Sequence, residues 1–202
     1  MRLRVERKGW VNFANKVSIF RIISIPFFLS AVLYYSPQRD FLRFIALGIF
    51  LLAVVSDFID GYIARVKKQK TKFGSIVDPL ADKLLLISSF LCLYIKNDIY
   101  PGVFLPLGVV LVIISRDVII LLGAIIIYLM REDLNVKPSA FGKFTTFFQM
   151  LTIILFIMRF KFVNVVWVIA VFFTIVSGID YLRKGVLILS AIDVKNNFKH
   201  NS

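Results

Sequence analysis

Four aspartates fall in two pairs on either side of a short basic stretch, within Asp57-Phe58-Ile59-Asp60-Gly61-Tyr62-Ile63-Ala64-Arg65 and Gly74-Ser75-Ile76-Val77-Asp78-Pro79-Leu80-Ala81-Asp82. Asp57 and Asp60 are three residues apart and Asp78 and Asp82 four, so on helices each pair shares one face. Each pair adjoins an apolar run. Four carboxylates gathered at the edge of a bilayer repel one another and lose hydration. A divalent cation is the simplest compensation, and hard oxygen ligands favour Mg²⁺, Mn²⁺ or Ca²⁺ over softer metals.

The residues between the pairs point the same way. Gly61 and Gly74 carry no Cβ, so backbone or ligand can approach closely. Ala64 lies about one helical turn beyond Gly61, and the two line a groove wide enough for a nucleotide or its pyrophosphate. Arg65, where the apolar run ends, either snorkels to the interface or neutralises a phosphate. Metal held by shared carboxylates suits displacement at phosphorus, with a further carboxylate acting as base. At a membrane the substrate narrows to a lipid bearing a phosphate or diphosphate.

The elements that must position these groups are membrane helices. The chain has 202 residues, of which 59% are hydrophobic and 15% aromatic, with 21 Phe. Its mean hydropathy is +0.84. That is too apolar for an ordinary soluble domain, and a polytopic membrane protein is expected. Six spans are predicted near Val17–Tyr35, Phe41–Ala64, Pro79–Ile95, Val103–Met130, Phe144–Met158 and Val163–Leu189. Residues 17–189 then form one transmembrane catalytic domain. Residues 1–16 form an amphipathic interfacial helix, with Trp10, Val11 and Phe13 among basic residues, and 190–202 a polar cytoplasmic tail. No cleavable signal peptide is expected at the N-terminus.

Net charge is +13. The basic residues cluster between apolar runs, so anionic lipid and phosphate-bearing substrates are the expected partners and nucleic acid is not. Arg2, Arg4, Arg7, Lys8, Lys16 and the 65–72 and 131–143 loops fall on the side of both termini. Arg39, Arg43, Lys96, Arg159 and Lys161 face the other side. This asymmetry predicts cytoplasmic termini and a cytoplasmic site, in the inner membrane of a bacterium. The single cysteine, Cys92, lies in an apolar run and is expected to be an inert buried thiol.

The stretch from Asp57 to Asp82 resembles the signature of the CDP-alcohol phosphatidyltransferases, D-x2-D-G-x2-A-R-x8-G-x3-D-x3-D, and meets every fixed position. The similarity runs from Asn15 to about Lys184. It implies an all-α fold of six transmembrane helices around a polar cavity open to the cytoplasm, commonly in a homodimer. It implies transfer of a phosphatidyl or related group from a CDP-linked donor to an alcohol, releasing CMP. Carried over by position, Asp57, Asp60 and Asp78 would ligate metal. Asp82 would complete a site for two Mg²⁺ (or Mn²⁺) ions and act as base on the acceptor. Gly61, Ala64, Arg65, Gly74 and Thr71, with Lys72 and Asp57, would line the site of the CDP-diacylglycerol donor.

The acceptor depends on the rest of the chain. Asn15, Ser18, Arg21 and Pro26 resemble the opening of the branch using glycerol 3-phosphate, with Ser18 where Thr is usual. Asp78-Pro-Leu-Ala-Asp82-Lys83 and Ser177-Gly178-Ile179-Asp180-Tyr181 also fit that branch. Ile114-Ser115-Arg116-Asp117 has Asp where many of its members have Glu, a feature shared with the cardiolipin-forming branch that uses phosphatidylglycerol. Arg116 either pairs with Asp117 or a site carboxylate, or faces the cavity as a ligand of the acceptor phosphate. Lys143, with Thr145 or Thr146, holds the same phosphate or anchors a helix at the interface. Arg21 is expected to meet nucleotide or acceptor. Lys83 either tunes Asp82 or snorkels, the latter being preferred, and His200 in the tail has no expected role. Outside enzymes, the competing class is a small cation transporter or channel whose aspartates bind the permeating ion.

Overall fold

The computed structural model describes residues 13–67, 74–97, 104–131 and 140–200, with side chains described over 17–59, 80–97, 104–123 and 140–185. The described residues form six α-helices: α1 (Phe13–Leu33), α2 (Phe41–Lys67), α3 (Gly74–Ile95), α4 (Leu107–Arg131), α5 (Ala140–Ile157) and α6 (Val163–His200). The expected amphipathic segment falls mostly on residues 1–12, outside the described residues; α1 begins at Phe13.

Turn chemistry sets where the described connections bend. After α1, Pro37 opens a 3₁₀ turn over Pro37–Arg39, closed by Arg39 N–H donating to the Ser36 carbonyl at 2.8 Å. Before α4, the Asn97 side chain holds both backbone groups of Leu105: its Oδ1 accepts from Leu105 N–H at 2.9 Å and its Nδ2 donates to the Leu105 carbonyl at 3.1 Å. Pro106 follows, and α4 starts at Leu107 rather than at the expected Val103. After α5, Arg159 takes a left-handed φ of 59°. Phe160 N–H then reaches back to the Leu155 carbonyl at 2.9 Å, a Schellman-type helix end. Glycine usually fills that position. Here the Arg159 side chain offsets the strain by pairing with Asp40 at 3.1 Å and lying over the Tyr35 ring.

α3 packs against α1, α4 and α5; α1 also packs on α2, α5 on α6 and α2, and α4 on α6. The apolar interior is built from Phe28, Phe50, Leu86, Phe90, Ile113 and Phe156, all fully buried. The outward faces are also apolar: Phe58 is 79% exposed and Phe27, Phe162 and Phe172 more than half. Large apolar side chains facing out along helix after helix require an apolar solvent. Three stretches of the described residues are long and apolar enough to cross a bilayer, Phe41–Ile59, Ala140–Ile157 and Val163–Gly185; the apolar part of α1, Val17–Leu33, is shorter.

Five buried hydroxyls are satisfied within their own helices. Ser24, Ser89, Thr145, Thr152 and Thr174 each donate to the carbonyl four residues earlier, at 2.6–2.9 Å. Buried charges have no such local solution. Each buried charged group belongs to a set of bonds that reaches another helix, and those sets mark the interior.

Candidate active site

Each aspartate pair falls on one helix, as its spacing predicts. Asp57 and Asp60 lie on α2, Asp78 and Asp82 on α3. The side chains of Asp60, Gly61, Ala64, Arg65, Gly74 and Asp78 lie outside the described residues, as do Thr71 and Lys72 altogether. Asp57 and Asp82 are therefore the two motif carboxylates whose surroundings are seen. Among the described residues, no three metal-binding side chains gather.

α1 packs against both motif helices, and Arg21 projects from it. The Arg21 guanidinium pairs with the Asp57 carboxylate while only 1% of the residue is exposed. An arginine buried so deeply in an apolar bundle requires a counterion. Asp82 on α3 lies within electrostatic reach of Arg21 and of Asp57, so α1 brings one positive charge to both halves of the motif. Arg21, expected to meet nucleotide or acceptor, thus has a protein partner as well. Its Nε and Nη1 are buried without one. Asp57 keeps 43% of its side chain exposed.

A second ionic group joins α3, α4 and α6. Asp117, fully buried, accepts from Arg116 Nη1 at 2.6 Å and from Lys83 Nζ at 3.1 Å. Arg116 Nη2 donates to Ser177 Oγ on α6 at 2.5 Å. Arg116 does pair with Asp117, one of the two arrangements open from sequence. Lys83 departs from the preferred expectation: it does not snorkel but turns inward, its side chain 12% exposed, because Asp117 offers a buried counterion. It also lies within electrostatic reach of its neighbour Asp82. Sequence reasoning missed this link, since Lys83 and Asp117 are 34 residues apart and only packing of α3 on α4 joins them.

On α5, Lys143 is exposed, and Thr145 and Thr146 return their hydroxyls to the carbonyls of Phe141 and Gly142. Gln149 is fully buried with neither amide atom hydrogen-bonded in the protein. A buried amide in that state is satisfied by water or ligand, or is costly. Cys92 is buried, as expected of an inert thiol.

Chemically, Asp57 and Asp82 are hard oxygen donors within reach of each other's charge, with buried Arg21 on α1, buried Arg116 on α4 and the mostly covered Lys83 on α3 around them. The class this defines is a helical membrane protein with a charged interior suited to anionic, phosphate-bearing ligands. A sequence model of the family described as CDP-alcohol phosphatidyltransferase matches residues 11–176. The chain belongs to that family, and so is a transferase. It is 32% identical over 185 residues to the CDP-diacylglycerol–glycerol-3-phosphate 3-phosphatidyltransferase of Aquifex aeolicus, covering 87% of this chain and 96% of that protein. It is 30% identical over 190 residues to the protein of that name in Bacillus subtilis, covering 86% and 94%. A probable phosphatidylglycerophosphate synthase of Mycobacterium tuberculosis is 32% identical over 179 residues, covering 86% of this chain and 81% of its own length.

Proposed function

We propose that this protein transfers the phosphatidyl group of CDP-diacylglycerol to glycerol 3-phosphate, giving phosphatidylglycerophosphate and CMP. The observation that carries the acceptor is Arg116, buried beside Lys83 with a single carboxylate between them and its Nε–H without a partner. A buried guanidinium with N–H donors left over suits a small acceptor that carries a phosphate. The names of the similar proteins from Aquifex, Bacillus and Mycobacterium support the same reaction.

In this reading six helices span the membrane of a bacterial cell, with both termini and the site on the cytoplasmic side, and the protein acts as a homodimer. Asp57, Asp60, Asp78 and Asp82 would hold divalent cations, and the described pair fits them as hard oxygen donors. Mg²⁺ or Mn²⁺, when bound there, neutralises charge on the donor diphosphate. Gly61, Ala64, Arg65, Thr71 and Gly74 receive the cytidine diphosphate. Arg116 and Lys143 orient the acceptor phosphate, and Arg21 serves that region while balancing Asp57. The Asp82 carboxylate takes the proton of the acceptor's 1-hydroxyl. That oxygen forms a bond to the phosphorus joined to diacylglycerol as the bond from phosphorus to the CMP oxygen breaks, and CMP leaves.

CMP release by purified protein with CDP-diacylglycerol and Mg²⁺ tests the reading. Release dependent on glycerol 3-phosphate and abolished by chelator is expected. Release with phosphatidylglycerol alone would move the protein to cardiolipin formation. Cation flux through vesicles without CMP release would put it in the transporter class.

A further inference from the structure

Ser177 differs from five other buried hydroxyls. Where Ser24, Ser89, Thr145, Thr152 and Thr174 bond within their own helices, Ser177 Oγ on α6 receives Arg116 Nη2 from α4 at 2.5 Å. The surrounding seam is shaped for that contact. At Gly178 an added Cβ would stand 3.6 Å from Arg116 Cγ, so the arginine stem lies directly against α6 backbone. One turn on, the Tyr181 hydroxyl donates to the Ile120 carbonyl at 3.1 Å. Its ring end fills the notch over Gly123, where a Cβ would lie 2.6 Å from the hydroxyl oxygen and 2.9 Å from Cε1. Tyr181 thus sets the register of α6 on α4, which puts Ser177 opposite Arg116.

Arg116 is then held on both terminal nitrogens, by Asp117 at 2.6 Å and Ser177 at 2.5 Å. A guanidinium has five N–H donors in a rigid fork. Two are used by these contacts, each terminal nitrogen keeps a second, and Nε–H is buried and unpartnered. Lys83 shares the carboxylate of Asp117, so Asp117 does not neutralise Arg116 alone. A buried arginine fixed at its tip, with donors left over, is preorganised for an oxyanion.

We propose that Ser177 and Asp117 are positioning residues that fix the Arg116 guanidinium for the acceptor's phosphate, Ser177 from the neighbouring helix and Asp117 from its own. The inference rests on the reading of Arg116 as an acceptor-phosphate residue. Losing the Ser177 bond frees the fork to rotate, so the cost falls on acceptor binding and not on the donor.

Steady-state kinetics of Ser177→Ala and Ser177→Thr, with CDP-diacylglycerol and glycerol 3-phosphate each varied, test it. Ser177→Ala is expected to raise the acceptor KM about tenfold while kcat and the donor KM stay within about twofold, and Ser177→Thr to restore most of the loss. Ser177→Cys, similar in size but a weaker acceptor, is expected to fall between Ala and Ser and carries the test if the alanine variant does not accumulate folded. An unchanged acceptor KM overturns the positioning role. So does a parallel fall in kcat, donor affinity and Tm, which a merely structural seam would give. A wild-type protein that releases no CMP with glycerol 3-phosphate overturns the acceptor reading itself, and this inference with it; turnover by the wild type with an unmoved KM in the variants overturns only the latter.

Discussion

Asp40 and Asp117 each hold two cations, one at a helix end and one inside the bundle. Asp40 precedes α2 and gathers Arg43 at 2.9 Å, Arg159 at 3.1 Å and the Tyr35 hydroxyl at 3.3 Å. Its side chain is 40% exposed, so water and salt share the task of satisfying these charges. Asp117 gathers Arg116 and Lys83 with no exposure at all. The first cluster ties the α1–α2 turn to the α5–α6 turn, where a left-handed arginine needs an anchor. The second joins three helices through buried charge, an arrangement that an apolar seam of the same volume would equal or better for stability alone. Similar ion-pair chemistry therefore means different things in the two places. At the helix ends it is a fastening, and in the interior it is a cost that the proposed acceptor-phosphate role of Arg116 accounts for.

Asp117→Asn should give the largest effect, because it leaves Lys83 and Arg116 buried with no anion between them. A loss of about 3–5 kcal/mol is expected for breaking such a buried pair. Differential scanning in detergent should show a lowered Tm together with near-complete loss of CMP release. Near-wild-type values for both would dissolve the contrast with Asp40.

Gly123→Ala comes next. Its Cβ would displace the Tyr181 hydroxyl from the Ile120 carbonyl, and overpacking of this kind costs about 1–3 kcal/mol. Adding Tyr181→Ala should recover part of the loss in Tm, since the clash is with that side chain. Failure of the second change to help would mean that α4 and α6 are not keyed at this point.

Asp40→Asn should matter least. A partly exposed pair is worth roughly 0–1 kcal/mol after screening by solvent. The variant should keep its acceptor and donor KM values, with a small Tm shift that shrinks further in high salt. A large change in acceptor KM would show that the two clusters are not separate in function.

How much of this was readable in advance differs between the motif and its surroundings. The Asp57–Asp82 pattern carried the family and the helical pairing of its carboxylates, because one helix's periodicity puts residues three or four apart on one face. Helix count was also legible from apolar runs. Helix ends were less so: α5 begins at Ala140 rather than Phe144, and α6 continues through polar residues to His200. Hydropathy reports what faces lipid, whereas helical hydrogen bonding continues through polar sequence until a turn such as a left-handed residue stops it. Arg159 marks one such place, and an arginine there gives no glycine signal to read.

By itself, the sequence determined an apolar, multi-helix chain of the CDP-alcohol phosphatidyltransferase family with its carboxylates paired on two helices. Local periodicity and composition are enough for that. Only the tertiary structure decided that Arg21 serves Asp57, that Lys83 turns inward to Asp117, and that Ser177 holds Arg116. Each of those contacts joins residues at least 34 positions apart on different helices, and which helix face meets which is set by packing of the whole bundle.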